Sequence, residues 1–241
     1  MNDTVYQFIV GVLDMLIWGG KLEGEENLPP RGPAVFVANH LESTGPIAVC
    51  CSVPLRMYSW IIGDMVDPQR APEWLRWDFV ERTLHLEPPV SRWVARGLAK
   101  VTVPLLRSLG TVPVYHGAYE HMQESLKLSM DVLRQGRFLL VFPEDNQGVL
   151  DPATKMQPFQ RSFVRLGEMY YEETGERLQF YPVAVHGSGV VQVGKSVAHN
   201  PFNPPGMERH RVKVLVEESI QSMYLQLEGG SLSGVFAPEH K

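Results

Sequence analysis

Apolar and polar positions alternate along the chain in two rhythms. After Gly32-Pro33 comes the continuous apolar run AVFVA, closed by Asn39; FLLVF (138–142) and FYPVAV (180–185) have the same character. Short runs without a polar side predict strands buried on both faces. Residues 53–62, VPLRMYSWII, and the stretch TVPVY after Gly110 predict two more strands, and VKVLV (212–216) a further one. Between them the spacing changes to threes and fours. Val94, Leu98, Val101 and Leu105 predict a helix from Ser91 to Leu109, stopped by Gly110. Tyr119, Met122, Leu126, Met130 and Leu133 predict another from Gly117 to Gln135, stopped by Gly136. Phe159, Phe163, Leu166 and Tyr170 mark a third, ending near Gly175. Strands alternating with helices predict one α/β domain with a largely parallel central sheet flanked by helices. The span from Asp67 to Pro89, broken by prolines and rich in charge, reads as irregular surface or a lid-like insertion.

The amino terminus stands apart. VYQFIVGVLDMLIW (Val5 to Trp18) is dense in apolar residues but shorter than the roughly 20 needed to span a bilayer. No basic residue precedes it, as a secretory signal would require. Gln7, Gly11 and Asp14 fall on one helical face, so the other sides pack on the core or enter a membrane interface. We therefore divide the chain into an N-terminal apolar helix, residues 1–25, and an α/β domain, residues 26–241.

Composition narrows the function classes. Of 241 residues 44% are hydrophobic, enough for a sizeable core. Lys and Arg total 22 against 27 Asp and Glu, a formal charge of -5, which argues against a nucleic-acid partner. Cys50 and Cys51 are adjacent and make neither a useful disulfide nor a zinc spacing, so a reducing, cytoplasmic setting is expected. The 8 histidines show no metal-ligand spacing, and no glycine loop of the nucleotide-binding kind occurs. No metal and no bound cofactor are expected. HGSG (His186 to Gly189) has the wrong frame for a nucleophile elbow and reads as a glycine-rich turn that can line an acyl or thioester site. Trp60, Trp74, Trp77, Phe79 and Trp93, interleaved with Arg70, Arg76, Arg82, Arg92 and Arg96, divide between core packing and contact with headgroups or a carrier.

Two strand ends carry the candidate chemistry. Asn39-His40 opens into a Ser/Thr/Gly loop, where α/β sheets place ligands. A histidine there can take a proton from a hydroxyl at neutral pH, best when an acid orients its ring; Glu42 is the nearest in sequence. FPEDNQG (Phe142 to Gly148) sets Glu144 and Asp145 at the end of another buried strand. On that segment alone, a solvated turn closed by an Asx-type hydrogen bond is the favoured reading.

GPAVFVANH after Leu28-Pro29-Pro30, then GTVPVYH (Gly110 to His116), FPEDNQ and FYPVAV, in this order, resemble the four motifs of the PlsC-like glycerolipid acyltransferase family. The likeness runs from about Leu28 to Val193. It implies that family's fold and the transfer of a fatty acyl group from acyl-CoA or acyl carrier protein, as substrate, to a lipid-like acceptor. By the resemblance His40 corresponds to the general base and Glu144 to the third-motif acid, with Phe142 and Pro143 as strand-end scaffold. Asn39, His116 and Gln147 would line the substrate site, and Glu42 or Glu144 would orient His40. The departures fall on charge: Gly45 stands at the Asp position, His116 at one Arg position, and Asp145-Asn146-Gln147 where Gly-Thr-Arg is expected. Without two phosphate-pairing arginines, an acceptor lacking a terminal phosphate is favoured. Peripheral membrane contact and a role in phospholipid metabolism follow from the same resemblance. The competing expectations are a catalytically degenerate acyl- or lipid-binding protein on the same fold, and a hydrolase of acyl thioesters.

Overall fold

A computed structural model describes residues 3–15, 19–41, 45–82, 84–115, 119–145 and 147–235. Eight strands form one sheet in the order β1-β7-β6-β2-β5-β3-β4: β1 (Lys21–Glu23), β2 (Ala34–Ala38), β3 (Met57–Ile62), β4 (Val112–Val114), β5 (Phe138–Val141), β6 (Gln179–His186) and β7 (Val190–Val193), with β8 (Val197–Ala198) paired to β6. The pairings are parallel except those of β6 with β7 and β8. The expected largely parallel α/β sheet is present.

β2 lies at the centre, and its register explains its sequence. Val35 and Val37 face one layer with Leu139, Val141, Leu126, Met130 and Phe163. Ala34, Phe36 and Ala38 face the other, with Leu140, Val183, Val185, Ala48 and Val49. Every β2 residue is buried, so no polar alternation survives. Phe36 stacks on Tyr181 with ring centroids 5.2 Å apart, and truncating so enclosed a ring would cost about 3–5 kcal/mol.

α5 (Tyr119–Arg134), α6 (Arg165–Thr174) and α7 (Pro205–Val235) supply the first layer; α2 (Gly45–Ser52) covers the second. α4 (Val90–Leu109) ends at Gly110, whose φ of 85° is left-handed and whose Cβ position is taken by the Tyr58 ring, at 2.6 Å from its Cε1. Gly175 caps α6 in the same way, with a φ of 72°.

Three expectations are corrected. The third helix does not include Phe159, which bridges to Glu144; α6 begins at Arg165 after a tight turn at Ser162–Val164. VKVLV is not a strand: Val212, Val216, Ile220 and Met223 form the buried stripe of α7 at steps of three and four. Asp67–Pro89 is not an irregular lid. α3 (Ala71–Leu75) and a wider helical turn at Arg76–Glu81 pack on α4 through Ala71, Leu75, Val80, Ala95, Ala99 and Val103. Pro72 sits in the first turn of α3 and Pro89 just before α4, positions where proline is tolerated. Trp60 packs against the core and donates to Ser129 Oγ at 2.8 Å, whereas Trp77 and Trp93 are exposed.

At the amino terminus α1 (Asp3–Leu13) buries Tyr6, and Asp3 pairs with Arg56. Its outer side carries Val5 and Phe8, followed two residues past the helix by Met15, all exposed. Among the described residues no helix is long and apolar enough to cross a membrane.

Candidate functional site

Three adjacent parallel strands, β6, β2 and β5, end together and bring the two candidate segments to one sheet edge, the place where open α/β sheets bind ligands. The apolar run of β2 stops at Asn39, which is only 2% exposed. Its amide acts as a strand continuation. Nδ2 donates to the Val185 carbonyl at 3.0 Å, and Oδ1 accepts from the Val185 N–H at 2.7 Å. Two buried backbone groups are thereby satisfied, and the last residue before His40 is locked to β6.

His40 follows, exposed at the edge. Its backbone N–H donates to Glu144 Oε1 at 2.5 Å, and its ring meets the Phe142 ring edge-on, centroids 5.3 Å apart. Glu144 Oε2 accepts the Gln157 N–H at 2.8 Å. Both carboxylate oxygens thus hold main chain: one the strand end that carries His40, the other the returning segment 157–160. That segment is further tied by a bridge between Glu144 and Phe159 and by the Gln160 N–H donating to the Pro143 carbonyl at 2.8 Å. Pro143 cannot donate, so its carbonyl is what it offers here.

Burial raises the Glu144 carboxyl above the ordinary carboxylate range, with the negative charge of Glu217 adding to it; the two backbone donors work in the opposite direction. Glu217 comes from α7. Its Oε1 accepts the Phe159 N–H at 2.7 Å, and its other oxygen pairs with Lys213. A chain of contacts therefore runs from His40 through Glu144 and Phe159 to an ion pair on the last helix.

Gly45, where the resemblance expects aspartate, opens α2 beside His40. A Cβ there would meet the His40 carbonyl carbon at 3.6 Å and the Asn39 oxygen at 3.7 Å, ordinary contacts. A Cβ is therefore accommodated at position 45, although the position itself is buried.

The structure brings Asn39, His40, Phe142, Pro143 and Glu144 together. Gln147 lies on the exposed turn after Glu144, its N–H donating to Asp145 Oδ1 at 3.1 Å. Asp145 therefore makes the Asx-type turn that FPEDNQG allows, while Glu144 faces inward. Glu42 and His116 lie outside the described residues. Gln157, Val185 and Glu217 were not indicated by sequence. Gln157 and Val185 contribute backbone groups, and only the Lys213–Glu217 spacing of four, ordinary on any helix, marked the third.

Among the described residues no group of three or more His, Cys, Asp or Glu side chains is placed to hold a metal ion. The chemistry available at this edge is that of an accessible imidazole on a hydrogen-bonded mount, with a half-buried acid beneath its backbone.

No family model matches the sequence, and no curated protein matches it. Among solved structures the chain is similar to the 1-acyl-sn-glycerophosphate (LPA) acyltransferase PlsC from Thermotoga maritima, with a TM-score of 0.53 at 15% identity, over 94% of this chain and 82% of that one. The fold is that of the PlsC acyltransferase.

Proposed function

We propose that the protein transfers a fatty acyl group from an acyl thioester, acyl-CoA or acyl carrier protein, to a hydroxyl of a lipid-like acceptor without a terminal phosphate. The observation that carries this reading is the mounting of His40: an exposed histidine whose backbone is held between Asn39, locked to β6, and Glu144, on the fold of an acyltransferase. In this reading His40 takes the proton of the acceptor hydroxyl as its oxygen attacks the thioester carbonyl, and the thiol leaves. Glu42 or Glu144 orients the ring, and Asn39, His116, Phe142, Pro143 and Gln147 line the substrate. The exposed Val5 and Phe8 of α1, with Met15 beyond it, give the protein an apolar side with which to meet a lipid surface peripherally.

A second reading is favoured by one observation. Both oxygens of Glu144 accept backbone N–H groups, and glycine stands at position 45. A chain that keeps these contacts as scaffold alone would bind acyl chains or lipids without turnover.

The test is thiol release from acyl-CoA and acyl carrier protein by the purified protein, with mass spectrometry of lipid products across phosphorylated and unphosphorylated acceptors. An acylated product that disappears in His40→Ala is the expected result. Thiol release no greater than that of His40→Ala would overturn the transferase reading in favour of the binder. Free fatty acid formed without any acceptor, and lost in His40→Ala, would identify a thioester hydrolase at this site.

A further inference from the structure

The turn between β6 and β7 holds a second cluster of reactive side chains. His186, the last residue of β6, is 4% exposed. Its Nδ1 lies 2.8 Å from Ser188 Oγ, and its Nε2 lies 2.6 Å from Glu228 Oε2 on α7. The tautomer follows from a third contact. The backbone N–H of Ser188 approaches Nδ1 at 3.2 Å, and a backbone N–H can only donate. Nδ1 therefore carries the lone pair, and Nε2 carries the proton that it gives to Glu228. The Ser188 hydroxyl, the remaining group on Nδ1, is then a donor whose proton already points at a base.

Three features suit this cluster to chemistry. The Tyr224 ring, edge-on with its centroid 4.7 Å away, fixes the imidazole plane from α7. Ser188 itself is exposed, so its oxygen is within reach of a substrate while its base is not. Gly187 beside it has no atom within 4 Å of its Cβ position, which leaves open space at the turn. The cluster also adjoins the His40 edge, because Val185, the residue before His186, is the one that Asn39 holds.

We propose that Ser188, His186 and Glu228 form an acyl-accepting centre toward carboxylic esters and thioesters, distinct from the base chemistry of His40. Ser188 Oγ bonds to the acyl carbonyl carbon as its proton passes to His186 Nδ1. The imidazolium so formed is held by Glu228, and it returns the proton to the departing alkoxide or thiolate. Water, deprotonated by the same nitrogen, then attacks the acyl-serine, releasing the carboxylic acid and restoring the hydroxyl. The roles are those of a serine–histidine–acid triad, with the two ring nitrogens exchanged and without the strand-to-helix elbow.

The experiment is labelling of the full chain with an alkyl fluorophosphonate, peptide mass spectrometry to locate the adduct, and labelling rates for Ser188→Ala and Glu228→Gln, with each variant's melting temperature measured alongside. The expected result is an adduct on the peptide containing Ser188, absent in Ser188→Ala. The labelling rate should fall at least about tenfold in Glu228→Gln, in a protein that still melts cooperatively. An adduct elsewhere, none at all, or a Glu228→Gln rate equal to the parent's would overturn the proposal and leave the cluster as a clasp between α7 and the turn. Acylated lipid product that is lost in His40→Ala but kept in Ser188→Ala reports the His40 reaction separately, so either reading can fail alone.

Discussion

Replacing Asn39 by aspartate exchanges a single amide nitrogen for an oxygen, yet it reverses one of the two hydrogen bonds that lock β2 to β6. Asparagine donates to the Val185 carbonyl at 3.0 Å and accepts the Val185 N–H at 2.7 Å, in a site 2% exposed. An ionised aspartate keeps the acceptor but sets a second negative oxygen against the carbonyl. The lost bond, the orphaned carbonyl and the buried charge together amount to about 3–5 kcal/mol. A protonated aspartate regains the donor and restores both bonds. Its folded-state pKa must therefore lie above the unfolded value of about 3.9. A group raised on folding confers stability that is fully present below the unfolded pKa and is lost as pH rises through the folded one. Urea unfolding at several pH values is the assay. Asn39→Asp should approach the parent near pH 4 and fall behind it by several kcal/mol at pH 7. Asn39→Ala should be weakened by about 2–4 kcal/mol with little dependence on pH. If the Asn39→Asp deficit is the same at both pH values, the hydrogen-bond reading of this strand junction is wrong.

Other substitutions probe the rest of the site. Gly45→Asp gives its Cβ only ordinary contacts but sets a carboxylate at a buried position, so it should cost about 1–3 kcal/mol by urea unfolding. Glu144→Gln leaves one of two backbone N–H groups facing an amide and should cost about 1–3 kcal/mol by urea unfolding. Because burial raises the Glu144 carboxyl, its ionisation erodes stability as pH rises through its folded pKa, and the variant should lose that part of the slope. Glu208 is wholly buried; burial works to raise its carboxyl, but Arg211, the Asn200 N–H and Asn203 outweigh it and hold it down to about 2. Its stabilisation is present above the unfolded carboxylate pKa and disappears as pH falls toward 2. Glu208→Gln should accordingly lower stability by about 2–3 kcal/mol at pH 7 and converge with the parent in acid, as read by thermal melting.

What was legible in the sequence and what was not divides along physical lines. β2, β5 and β6 are buried on both faces, so their apolar runs have no competing explanation, and Gly110, Gly136 and Gly175 mark helix ends by backbone conformation alone. VKVLV failed because five residues, four of them valine or leucine, fit a short strand, while the helical stripe Val212–Val216–Ile220–Met223 emerges only over twelve. Asp67–Pro89 failed because its prolines lie at helix starts, where they do not break anything. β1, β7 and β8, of two to four residues, are too short for periodicity and exist through pairing with neighbours. Among site residues, Asn39, His40 and Glu144 were visible from strand-end position and motif. Glu217 was not, since its role depends on α7 crossing beneath a loop 58 residues earlier in the chain.

The junction at Asn39 also sets a schedule for synthesis. Its partner Val185 is 146 residues further along, and Glu144, which holds His40, is 104 further. At about 5–20 residues per second, the ribosome leaves β2 without β6 for roughly 7–30 s. For most of that interval the apolar strand Ala34–Ala38, which ends with both faces covered, waits for β5, and for all of it for β6. A newborn chain therefore presents a sticky central strand long before it can close its site, and codon-dependent pausing between residues 40 and 185 should lengthen its dependence on chaperones.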